Sequence, residues 1–79
     1  MSWNYRVIRH HDPMPAGGTE ERLTIHEVYY EKGKVTLWAE APTHPLGSGA
    51  GALLELHEDF ELMIEALGKP ILNAADLPR

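Results

Sequence analysis

The chain has 79 residues and a formal net charge of −5. That length sets the expectation of a single small domain, and a negative field disfavours non-specific binding to phosphate backbones. Cysteine is absent, which excludes disulfides and thiolate metal sites and fits a reducing cytoplasm. No stretch approaches the ~20 apolar residues of a membrane span, and the N-terminal MSWNYRVIRHH has no apolar signal-peptide core.

Trp3 to Arg9 reads as a first strand. Alternation puts Trp3, Tyr5 and Val7 on one face and Asn4, Arg6 and Ile8 on the other. His10 to Glu21 reads as a loop, because two prolines and Gly17-Gly18 interrupt any periodic pattern.

Arg22 to Pro42 is the organising hairpin, with its turn at Glu31-Lys32-Gly33-Lys34. Val28, Tyr29, Tyr30, Val35 and Trp38 suit a half-buried pleated surface. Gly33 supplies the positive φ that a tight hairpin turn needs. Leu23, Ile25, Val35, Leu37, Ala39 and Ala41 are expected on the inner face, and Thr24, His26, Val28, Tyr30, Thr36 and Trp38 on the outer one.

Ala41 to Gly51 is a Pro/Gly-rich turn with Ser48 as the N-cap candidate. Ala52 to Leu67 reads as the helix. Leu53, Leu56, Phe60, Met63 and Leu67 step by 3, 4, 3 and 4, which predicts one docking stripe. Glu55, Glu58, Asp59, Glu61 and Glu65 cover much of the rest, and Gly68 and Pro70 end the element. Ile71-Leu72 is a candidate short fourth strand beside the first, and residues 73–79 read as a frayed tail after a single domain of residues 1–72.

The expected fold is therefore α+β: a three-stranded antiparallel meander, β-β-β-α, with the C-terminal helix on one face. The predicted core is Tyr5, Val7, Leu23, Ile25, Leu37, Ala39, Leu53, Leu56, Phe60, Met63 and Leu67.

Chemistry-bearing residues are sparse. His10-His11-Asp12 is the most metal-like cluster, since imidazole and carboxylate suit zinc or nickel. Neighbours on a strand point to opposite faces, however, so the cluster ranks as an alternative only and no cofactor is expected. His26 is read as a half-exposed strand histidine, and Gly47-Ser48-Gly49 lacks both nucleophile-elbow and phosphate-loop context. No nucleophile, base and orienting group occur together, so an enzyme is not expected. The aromatic outer face of His26, Val28, Tyr30, Thr36 and Trp38 instead points to a homodimer or another protein contact. The acidic helix face would suit a basic partner, and neither nucleic acid nor membrane is expected.

Trp3 to Ile8 (WNYRVI), Ile25 to Tyr30 (IHEVYY) and Asp59 to Leu72 (DFELMIEALGKPIL) resemble blocks shared by a group of small uncharacterised bacterial proteins. More distantly, the element order and the turn at Pro42, Pro45 and Gly47 resemble the N-terminal domain of HicB-type antitoxins. That resemblance implies a degenerate RNase H-like β-β-β-α domain that covers a small basic toxin. No helix-turn-helix or ribbon-helix-helix pattern follows the helix in this sequence, so DNA binding is not expected. The resulting expectation is a non-catalytic protein-interaction module, antitoxin-like in kind.

Overall fold

The computed structural model describes residues 1–78. Strands β1 (Ser2–Pro13), β2 (Thr19–Glu31) and β3 (Lys34–Trp38) form an antiparallel meander. Helix α1 (Ala52–Leu67) follows, and β4 (Leu72–Asn73) then pairs parallel to β1 through Ile8 and Arg9. The sheet order is β3-β2-β1-β4, and a 3₁₀ turn spans Ala74–Asp76. The β-β-β-α architecture with a short fourth strand is the one the sequence pattern implies.

Lys32 (φ 51°) and Gly33 (φ 77°) both take left-handed backbone at the β2–β3 turn. Two consecutive positive φ values define the hairpin turn whose twist matches its flanking strands. Past it, a bulge at Tyr29/Tyr30 leaves Thr36 outside the ladder, because Tyr30 pairs with Val35 and Tyr29 with Leu37. The bulge moves Val35 to the face opposite Leu37, so these two do not share the inner face as alternation alone predicts.

The expected His10–Glu21 loop shrinks to Met14–Gly18. His10, His11 and Asp12 extend β1 and face Arg22, Glu21 and Glu20. Cross-strand pairing overrides the weak local propensity here, and Arg22 Nε donates to Asp12 Oδ2 at 2.7 Å across the arm.

One sheet face carries Trp3, Tyr5, Val7, Ile25 and Leu37, and α1 lies over β1 on this face. The docked line of the helix is Ala52, Leu56, Asp59, Met63 and Ala66. Only Leu56 and Met63 belong to the expected stripe; Leu53, Phe60 and Leu67 are exposed. Two causes turn the helix. Small Ala66 allows close approach, so it is fully buried beside Tyr5 and Met63, and the Tyr5 hydroxyl donates to Asp59 Oδ1 at 3.1 Å, holding that carboxylate toward the sheet. The N-cap is Gly51 and not Ser48. The Ser48 N–H instead donates to Glu55 Oε2 at 3.1 Å, and Gly47 abuts the Ala52 carbonyl so closely that a Cβ has no room.

The second face carries Ile8, His26 and Val28, all almost fully buried within the chain. The C-terminal segment closes this face. Arg6 Nη2 donates to the Pro70 carbonyl at 2.6 Å, Trp38 Nε1 to the Pro78 carbonyl at 2.8 Å, and β4 runs beside Ile8. The described part of the expected frayed tail is therefore tied down at both ends. Predicted core residues Leu23 and Leu37 lie exposed on the first face, while Ile8 and Val28, not in that set, are the most buried apolar side chains.

Candidate functional site

Two features stand out: a histidine cluster on the second face and an apolar flank on the helix.

His10 of β1 and Thr24 and His26 of β2 meet beneath the Trp38 ring. His26 Nδ1 donates to the Ala39 carbonyl at 2.7 Å. A carbonyl only accepts, so this bond places the proton on Nδ1, and Nε2 of the neutral ring accepts. The Thr24 hydroxyl accordingly donates to His26 Nε2 at 2.6 Å and accepts from His10 Nε2 at 2.9 Å. The two Nε2 atoms lie 3.4 Å apart, and Trp38 stands edge-on to His26 with ring centroids 5.3 Å apart. This one-directional chain satisfies both ring nitrogens of the buried His26. It also ties β1, β2 and the stretch after β3 together.

Beside it lies a cleft of about 1040 Å³, bounded by His10, Arg22 and Trp38 on one side and Asn73 to Asp76 on the other. Arg22 there pairs with Asp12, and Arg9 lies 3.6 Å from Glu21 and donates to Asn73 Oδ1 at 3.1 Å, while Glu40 and Asp76 line the cleft without an ion pair among the described residues. Thr24 does not line it. The hydroxyl ties His10 of β1 to His26 of β2.

The candidate metal trio does not assemble. His10 points into the second face, His11 is exposed on the other, and the Asp12 carboxylate is engaged by Arg22. Strand alternation separates the two imidazoles, and among the described residues no group of three or more metal-binding side chains converges. The expected partner surface also breaks up. His26 and Val28 are buried within the chain, His26 edge-on to the Trp38 ring that the C-terminal segment holds. Tyr30 donates to Asn4 Oδ1 at 2.8 Å and accepts from Arg6, and Trp38 is tied to Pro78. Of the five residues, only Thr36 is exposed. Alternation places His26, Val28, Tyr30 and Trp38 on one face correctly and fails at the bulge, for Val35 and Thr36; it also gives no sign of the segment Leu72 to Pro78 that reaches Trp38.

His10 carries a pH signature. Burial, the nearby Arg22 charge and His26 hold its pKa below the ordinary imidazole value, and Asp12 offsets them only in part. A histidine with a lowered folded-state pKa binds fewer protons folded than unfolded, so stability is full above the unfolded value of about 6.5 and declines as pH falls below it. The urea midpoint should therefore drop between about pH 7 and pH 5.5, before most carboxylates titrate. In His10→Gln, which keeps an N–H donor for Thr24, the drop should be smaller. An unchanged slope would place the titrating group elsewhere.

The second feature was missed because it shares its helical spacing with the docked line. Leu53, Phe60, Ile64 and Leu67 lie 82, 50, 66 and 68 % exposed along one flank of α1. Asp59 on the docked line and Glu55 on the opposite flank accept from the Leu46 and Ser48 N–H groups, and the loop bearing them joins β2 where Thr43 N–H donates to the Ile25 carbonyl. The apolar flank therefore faces away from β2 and β3, past the outer side of β1. Among the described residues no helix is long and apolar enough to cross a membrane. Compared with known proteins, the chain matches no family model, no curated protein and no solved structure.

Proposed function

We propose that the chain is a non-catalytic protein-interaction module whose contact surface is the exposed flank of α1. The observation that carries this reading is the exposed cluster Phe60, Ile64 and Leu67, with Leu53 two turns away on the same flank, left in solvent by a helix that docks through a neighbouring line. Contiguous apolar surface of this kind marks protein contacts, and Phe, Leu and Ile side chains supply the desolvated centre of such contacts. Glu58, Glu61 and Glu65 stand exposed on the solvent side of the same helix. That ridge suits a basic partner and is the feature most in keeping with an antitoxin-like role.

The reading is tested by placing a photo-activated cross-linking amino acid at position 60 in the full chain and irradiating living cells. A discrete covalent adduct from position 60, absent from the same probe at position 32 in the β2–β3 turn, is the expected result. No adduct from position 60 would overturn the reading.

A further inference from the structure

We infer that the occupant of this flank is a second copy of the chain, paired antiparallel along the free edge of β1 with the two helix flanks side by side; the inference rests on the interaction reading above. Beyond the Ile8–Arg9 stretch that β4 covers, the outer side of β1 has no strand partner among the described residues. The backbone directions follow from the bonds on the far side of β2. The Glu27 and Ile25 carbonyls accept from the Ala39 and Thr43 N–H groups, so these residues face β3 and the loop after it. By alternation His26 and Val28 face β1, where their partners are Arg6 and Asn4. Trp3 and Tyr5 are then the residues whose N–H and C=O groups point outward. Among the described residues no turn, loop or side-chain hydrogen bond reaches those groups.

An open strand edge is a template for another strand. Here it runs directly below the apolar flank of α1. A two-fold axis beside β1 satisfies both at once, because antiparallel pairing of a strand with its own copy is isologous and brings the same helix flank from each chain into contact. Charge does not oppose it: Leu53, Phe60, Ile64 and Leu67 include no acid, and the glutamates lie on the solvent side of the helix.

The surface area agrees. The single chain exposes 5826 Å², whereas a compact monomer of this mass would expose roughly 4800 Å². The difference, about 1000 Å², is comparable with the ~800 Å² per partner of a standard interface. The radius of gyration, 14.5 Å, likewise exceeds the roughly 12 Å of a compact chain of this length.

Sedimentation equilibrium of the full chain provides the test. The wild type should sediment with the mass of two chains at micromolar concentration. Phe60→Glu puts a charge at the helix contact. Trp3→Pro removes an outward N–H of the edge strand, together with the half-exposed indole that stands edge-on to Tyr5, and Trp3→Phe is the control that keeps an aromatic ring and the N–H. Phe60→Glu and Trp3→Pro should each weaken the dimer at least about tenfold while circular dichroism stays that of the folded chain. Leu37→Glu, on the far edge of the sheet, should leave the dimer intact. A wild type that is monomeric at high micromolar concentration overturns self-association, and so does a position-60 adduct that contains only a different protein; the adduct itself would still uphold the interaction reading. A dimer broken by Leu37→Glu but not by Trp3→Pro or Phe60→Glu overturns the geometry.

Discussion

Ile8→Ala should cost about 2–5 kcal/mol, the largest effect of any single truncation to alanine in this chain. Ile8 has no solvent exposure and sits where three constraints meet. It pairs with Thr24 on one side and with Leu72 on the other, and shares its face with Val28 and His26. Removing its side chain leaves a cavity bounded by regular strands, which cannot collapse without breaking ladder bonds on both sides of β1. For a domain of this size the loss corresponds to a fall in Tm of roughly 8–40 °C. Leu37→Ala, by contrast, removes a side chain that is 61 % exposed and should cost under about 1 kcal/mol. Thermal unfolding followed by circular dichroism separates the two. Equal losses would mean that the stability of the domain resides on the helix face, and that the second face is cover and not core.

The placement of that core shows what the sequence could and could not reveal. Element order, the Lys32-Gly33 turn and the helix bounds follow from local chemistry: turn residues, β-branched runs and 3.6-residue periodicity. Ile8 and Val28 were placed on the correct face by alternation. Their burial was not legible, because it depends on a short segment after Pro70 that carries weak strand propensity and gains its order only by pairing with β1. The helix posed a different problem. Lines 52-56-59-63-66 and 53-56-60-63-67 have the same spacing, and hydropathy favours the second. The first docks because Ala66 permits close approach and Asp59 gains the Tyr5 hydroxyl, contacts made across 54 residues of sequence. In the histidine cluster, His10 and His26 looked unrelated 16 residues apart. The β1–β2 register puts His10 opposite Arg22 and Thr24 opposite Ile8, so Thr24 is diagonal to His10 and His26 follows it on the same face, where the two rings meet over Thr24. The strand extension through His10, Asp12 and Arg22 was the missing signal, hidden by Pro13 and Pro15 at the start of the short Met14–Gly18 turn.

Ending the chain at Ile71 should destabilise it by about 3 kcal/mol or more, enough to abolish a cooperative transition in a domain of marginal stability. The argument is additive. The truncation deletes β4 and with it the pairing at Ile8 and Arg9. It removes Leu72 and Leu77, both partly buried, and burying a leucine side chain contributes on the order of 1.5–3 kcal/mol when complete. It also removes the Pro78 carbonyl from Trp38 Nε1 and the Asn73 amide oxygen from Arg9, at roughly 1 kcal/mol for each hydrogen bond lost. What remains is a sheet whose second face presents Ile8, Val28 and the rings of His26 and Trp38 to water. Such a chain should bind a hydrophobic dye and lose the Trp38 part of its near-ultraviolet signal, read in a Trp3→Phe background, since Trp38 is held between His26 and the segment removed. Its helix content should fall as well, because α1 packs on the opposite side of the same β1 strand. A truncated chain that melts within a few degrees of the full length, with its tryptophan signal intact, would show that the two histidines and Val28 close that face without the C-terminal cover.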